Sequence, residues 1–208
     1  MSEYTIHLNY IELSEFEQII NDNLKLSLSK EATDAVLACR AYLDQKMQDS
    51  DKLIYGINTG FGSLCDTAIS SNDLEALQRN LVLSHACGTG EEVPSEIVKR
   101  MLFLKVLGLS KGNSGVQLAT VERLLFFYNE GIYPVVYQQG SLGASGDLAP
   151  LAHLCLPLLG EGEVDYQGKR YSGGEINDKF GLNPIVLQSK EGLALLNGTQ
   201  FMSAYASY

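Results

Sequence analysis

Residues 140–150 read GSLGASGDLAP, and within them Ala144, Ser145 and Gly146 are three small residues whose own backbone could react. Gly146 has no side chain, so its amide nitrogen can approach the carbonyl carbon of Ala144 closely enough to close a five-membered ring in a strained turn. Ser145, between them, carries a β-hydroxyl that can leave as water. Loss of water from the ring and from the serine would convert the triplet into a methylidene-imidazolone, an electrophile that no standard side chain supplies. Two other readings compete. A glycine-rich turn can do no more than feed a helix N-terminus, with N–H groups open to an anion. A hydrolase nucleophile elbow, GxSxG, needs its second glycine where Asp147 stands, so that reading fails. The triplet alone does not choose between an inert turn and a reactive one.

The elements that must position this stretch are helical. Ala32, Ala35, Val36, Cys39, Tyr42, Leu43 and Met47 recur at three and four behind Ser29, which predicts a capped helix over 29–49. Asn72 as cap, Glu75 three residues on, and Leu74, Leu77 and Leu81 on one face predict a second over 73–86, ending at Gly88. Pro94 opens a third, SEIVKRMLFLKVLGL, and a fourth over 115–129 closes at the Asn129, Glu130, Gly131 turn. Both are apolar over a wide arc and belong in the core. In the segment 147–160 Asp147 is the expected cap, Pro150 sits harmlessly in the first turn, and Pro157 should kink or stop the helix. EVDYQGKRYS, 163–172, alternates around Gly168 as a hairpin would, while SKEGLALL and TQFMSAYASY are helical by composition. The expected fold class is mainly α with a few short strands and a β-hairpin. The last helix pattern meets no cap, glycine or polar tail before Tyr208, so 1–208 is expected to be the N-terminal piece of a longer protein.

Composition narrows the function classes. The 208 residues are 45% apolar and 19% charged, enough for a sizeable core. With 25 acidic against 15 basic residues the formal net charge is −10, and the basic residues do not cluster, which argues against nucleic acid as a partner. Cys39, Cys65, Cys87 and Cys155 form no CxxC pair and have no His at zinc-site spacing, so they are read as reduced, mostly buried thiols and no metal is expected. The N-terminus lacks the pattern of a signal peptide, and no segment approaches the roughly 18 apolar residues of a membrane span. A cytoplasmic protein without a membrane partner is the expectation.

GSLGASGDLAPLAHL resembles the signature of the aromatic amino acid ammonia-lyases. YGINTGFG at 55–62, NLVLSHACGTG at 80–90 and EGLALLNGTQ at 191–200 resemble further segments of that family in order and spacing, and KGNSGV at 111–116 agrees as well. The similarity covers almost the whole chain and is strongest toward the histidine-specific members.

The resemblance implies the N-terminal part of the ammonia-lyase fold, a fumarase/aspartase-like helical architecture whose central bundle begins where this chain stops. It implies that Ala144, Ser145 and Gly146 cyclise to the methylidene-imidazolone (MIO), with no metal and no diffusible cofactor. Tyr55, otherwise one of eleven tyrosines at a loop edge, matches the base that removes the β-proton. A phenol ordinarily titrates near 10, so such a base needs positive potential or donors around it, and helix N-termini are the implied source. His85, otherwise a core histidine, matches the position facing the substrate's ring, where histidine suits an imidazole or a phenol better than an apolar ring. Asn197, otherwise a turn residue before Gly198, matches an amide beside the prosthetic group. His153 carries no motif signal and is read as structural. The implied reaction is elimination of ammonia from L-histidine to trans-urocanate by a homotetramer whose sites draw on several subunits. Tyrosine- or phenylalanine-specific lyases, MIO-dependent aminomutases and a silent helical scaffold are the alternatives. The chain departs from the family at Tyr137, Gln138 and Gln139, where Pro, an apolar residue and Lys or Arg are common, and at Gln117, where Arg is common. Because family groups lie downstream of residue 208, the 208-residue chain by itself is expected to be inactive.

Overall fold

The computed structural model describes residues 3–48, 53–59, 69, 73–143 and 146–208. The chain begins with a unit that the sequence patterns do not announce. Strand β1 (Glu3–Ile6) pairs in parallel with β2 (Lys25–Leu28), in register from Glu3 opposite Lys25 to Ile6 opposite Leu28. Parallel neighbours need a crossover, and helix α1 (Leu13–Asn21) supplies it, burying Phe16, Ile19 and Ile20.

Helix α2 spans Lys30–Gln48 and is capped as expected, with the Ser29 hydroxyl accepting the Ala32 N–H at 3.2 Å. Its buried face is narrower than the periodicity suggests: Ala32, Val36, Arg40 and Leu43 are buried, whereas Tyr42 is exposed. Helix α3 (Leu74–His85) starts from Asp73, which makes no side-chain cap bond; the expected cap, Asn72, lies outside the described residues.

Helix α4 (Ser95–Ser110) is the centre of the core, with Met101, Leu102, Phe103 and Val106 wholly buried. Helix α5 (Leu118–Glu130) packs on it and starts three residues later than expected, because Gln117 is extended (φ −67°, ψ 147°). It closes where predicted, at Gly131. β4 (Tyr133–Pro134) joins the hairpin of β6 (Glu163–Tyr166) and β7 (Lys169–Ser172), whose bounds match the sequence reading. Between them, β3 (Thr89–Glu92) pairs antiparallel with β5 (Tyr137–Gln139).

Helix α6 (Ala149–Cys155) is buried at every position and turns into a 3₁₀ segment over Leu156–Leu159. Pro157 ends the α-helical hydrogen-bonding there, as its missing N–H requires. Helix α7 (Gly173–Phe180) follows the hairpin through a capping box, in which Ser172 accepts the Glu175 N–H while Glu175 accepts the Ser172 N–H. The chain finishes with α8 (Glu191–Leu196) and α9 (Gln200–Ala206), the latter packed on α4. The fold is mainly helical with a few short strands. Among the described residues no helix is long and apolar enough to cross a membrane.

Candidate functional site

The loop 140–147 is held at its two ends by one carboxylate. Asp147 Oδ1 accepts the backbone N–H of Ser141 at 2.8 Å, the Ser141 hydroxyl at 3.3 Å and the N–H of Ala149, first residue of α6, at 3.0 Å. Leu148 holds the formal N-cap position, while the Asp147 carboxylate one residue earlier takes the open N–H at the helix start, as expected of a capping side chain, and closes the loop onto it. Gly140 is required for this closure, since a Cβ there would collide with the Asp147 carboxylate. Inside the clamp the Gly146 N–H donates to the Gly143 carbonyl at 3.0 Å, and Gly146 adopts φ 82°, a left-handed conformation that favours glycine. Ala144 and Ser145 lie outside the described residues.

His85 ends α3, and the strand that follows it brings it toward this loop. Thr89 of β3 pairs with Gln139 of β5, so the stretch leaving His85 runs beside the stretch entering the loop. His153 of α6 ties the two again: its Nε2 accepts the Gly88 N–H at 2.9 Å, and its ring meets Tyr137 edge-on at 5.1 Å. Gln139 also packs against Gly90, so Tyr137 and Gln139, two of the family departures, sit in this seam.

The His85 Nδ1 lies 2.7 Å from the Leu81 carbonyl oxygen, which can only accept, so Nδ1 is the donor of this bond. Ser84 Oγ lies 3.3 Å from the same nitrogen.

Asn197 is the residue at which α8 ends, and α8 packs against both α3 and α6. The start of α8 is anchored through a buried carboxylate that the motif reading passed over. Glu191, wholly buried, accepts from Gln117 N at 2.9 Å, Gln117 Nε2 at 2.6 Å, Thr120 Oγ1 at 2.7 Å and Gln188 N at 2.8 Å. Four neutral donors from the beginning of α5 and the turn before α8 thus solvate the charge. Gln117, where the family commonly has arginine, supplies two of them. Arg40 was also missed: its guanidinium reaches the carbonyls of Gly115 at 2.8 Å and Ser189 at 2.9 Å, binding α2 to the segments that precede α5 and α8.

Tyr55 reaches the same framework by another route. It opens a turn in which Ile57 N and Asn58 N donate to Ile54 O, Ile54 N donates to Asn58 Oδ1 and Gly56 N donates to Thr59 Oγ1. Ile54 and Ile57 line a cavity of about 260 Å³ with Cys39, Leu43, Gly115 and Lys190, the last of these adjoining α8. The Tyr55 side chain is 54% exposed, Asn197 and Gly146 are exposed, and His85 is half-buried. The structure therefore links the end of α3 that carries His85 to the start of the 140–147 stretch through the β3–β5 pairing and His153, and α8, which ends at Asn197, packs on α3 and α6.

The thiols correct one expectation. Cys155 is buried, Cys39 half-buried and Cys87 exposed; all three are free, and Cys65 lies outside the described residues. Among the described residues no group of three or more His, Cys, Asp or Glu side chains is disposed to hold a metal.

His153 is structural, as read, and its role is testable. Burial pushes its imidazolium below the ordinary histidine value, so the folded state binds fewer protons than the unfolded one. The stability it contributes is complete above about pH 6.5 and is lost as the pH falls below that. His153→Leu leaves the Gly88 N–H without its acceptor and is expected to cost about 1–3 kcal/mol. Urea midpoints at neutral pH should show that loss, and midpoints on acidification should show that the variant lacks the wild type's decline in this range.

Comparison with known proteins agrees with the geometry. The family described as aromatic amino acid lyase matches residues 11–208. A histidine ammonia-lyase of Geobacillus thermodenitrificans is 50% identical over 93% of this chain and 38% of its own length. The crystal structure of a Trypanosoma cruzi histidine ammonia-lyase superimposes with a TM-score of 0.86 at 37% identity, covering 98% of this chain and 39% of that one. The phenylalanine aminomutase of Pantoea agglomerans superimposes with a TM-score of 0.90 at 31% identity, over 100% of this chain and 39% of its own. The chain thus spans about 40% of the length of the relatives it matches.

Proposed function

The chain belongs to the aromatic amino acid lyase family, and on that premise we propose that the complete protein is a carbon–nitrogen lyase converting L-histidine to trans-urocanate and ammonia. The observation that carries the substrate is the likeness to curated relatives at 45–50% identity over almost the whole chain, which are named histidine ammonia-lyases. The polar His85 ring at the end of α3 is in keeping with a substrate ring that can hydrogen-bond, such as imidazole.

The loop fits an MIO built from Ala144, Ser145 and Gly146. The Asp147 clamp and the glycine at 140 hold its ends close, and the Gly143–Gly146 hydrogen bond already brings the nucleophilic nitrogen back toward the residues before it. Once formed, the group would supply an electrophilic carbon to which the substrate's amine could add, which would make the amine a better leaving group. Tyr55 takes the β-proton, His85 binds the imidazole, and Asn197 bonds the substrate near the reacting amine. No metal or diffusible cofactor enters this scheme. We read the complete protein as a cytoplasmic homotetramer and the 208-residue chain alone as inactive.

The test is to incubate the complete enzyme with histidine, tyrosine and phenylalanine and to record the ultraviolet absorbance of each unsaturated acid. Urocanate should form fastest; preferential formation of cinnamate would overturn the histidine reading. His85→Leu removes one hydrogen bond to the substrate, worth about 1–3 kcal/mol, and should lower kcat/KM for histidine roughly 5- to 150-fold. The likeness to an aminomutase favours a second reading in which the amine returns to the neighbouring carbon. A β-amino acid among the products would establish it.

A further inference from the structure

We propose that Lys105 is a positioning residue for Asn197, its ammonium capping the C-terminal end of α8 and so fixing where the chain leaves that helix. Lys105 sits inside α4 and is 1% exposed, between Phe103 and Val106, which are wholly buried. Its Nζ donates to the Ala194 carbonyl at 2.8 Å.

Ala194 lies in the last turn of α8, where carbonyls have no partner further along the helix. The Leu193 carbonyl takes the N–H of Asn197 at 3.1 Å, and the next carbonyl takes Lys105. The cation therefore meets the negative end of the helix dipole from a buried position on α4. Immediately beyond, Asn197 is extended (φ −94°, ψ 127°), so the end of α8 and the placement of the Asn197 amide are one event. An apolar residue at 105 would avoid the cost of burying an ammonium; the carbonyl contact offsets that cost.

Burial pushes the Lys105 ammonium down to about 8. Among the described residues the Cys155 thiol on α6 is the titratable group that faces it, and burial pushes that thiol up to about 12, so it stays neutral and leaves burial to govern Lys105. Loss of the Lys105 proton turns a charged cap into a neutral amine, and Asn197 should shift with it.

The consequence for catalysis rests on the reading of Asn197 given above, whereas the test does not. In the isotopically labelled 208-residue chain, the Asn197 carboxamide and the backbone amides of 195–198 are followed by NMR from about pH 6 to about pH 10, alongside Lys105 Nζ itself. The expected result is one single-proton transition shared by Asn197 and Lys105 and lost in Lys105→Met. Lys105→Arg, whose charge does not titrate in this range, should likewise hold Asn197 still, and it serves if the methionine variant does not fold. Asn197 resonances that stay fixed while Lys105 titrates, or that keep the transition in either variant, overturn the proposal. Because no turnover is measured, this outcome is separate from whether the complete protein is an ammonia-lyase.

Discussion

Ser145→Ala in the complete enzyme is expected to reduce kcat by at least about 10³-fold while leaving the unfolding temperature unchanged. The chemical reason is that alanine has no β-hydroxyl to expel. A ring could still close between Gly146 and Ala144, but no exocyclic methylene carbon would form for an amine to attack. The structural reason for expecting an intact fold is that the loop is held from outside the triplet, by Asp147 on Ser141 and on Ala149. Intact mass gives the second readout. The complete wild-type protein should weigh two waters less than its sequence, and the variant should retain the water that the serine would have lost. The 208-residue chain should show its full sequence mass, because closing so strained a ring needs the complete fold around it. A variant with wild-type turnover, or an unmodified mass in an active wild-type enzyme, would refute the electrophile.

The helices were legible because their stabilising burial is periodic and local. α4 and α5 carry apolar residues around most of their circumference, and Ser29 caps α2 as its position suggests. The β1–β2 pair was not legible, since a parallel ladder between residues 3–6 and 25–28 leaves no short-range signal. α7 did leave one, the capping-box spacing of Ser172 and Glu175, although the two glycines between them are poor helix formers. The candidate site divides in the same way. Tyr55, His85, Asn197 and the triplet were reached through resemblance in motif order, because each alone has an ordinary structural explanation. Arg40, Lys105 and Glu191 were passed over because sequence patterns place charges at the surface. What buries them is the set of partners that only the folded chain assembles, such as the four donors around Glu191. Asp147 shows the intermediate case: its carboxylate takes the N–H at the start of the helix as expected, but its second bond, to Ser141 across the loop, left no sign in the sequence.

Tyr55→Phe should lower kcat by about 10²- to 10⁴-fold with KM for histidine little changed, as expected when a general base is removed from a site that still binds. The turn carrying the ring is built by other groups: the Ile54 carbonyl, the Asn58 carboxamide and the Thr59 hydroxyl organise its backbone, and Ile57 is buried beneath it. Phenylalanine keeps the ring and this framework, so the variant should still fold. Asn58→Ala provides the contrast. It deletes the acceptor of the Ile54 N–H, loosens the turn, and should raise KM and lower kcat together, because a displaced turn moves the base without removing it. If Tyr55→Phe retains activity within about tenfold of wild type, another group takes the proton. If it instead raises KM like Asn58→Ala, the Tyr55 hydroxyl serves to shape the site and not to accept the proton.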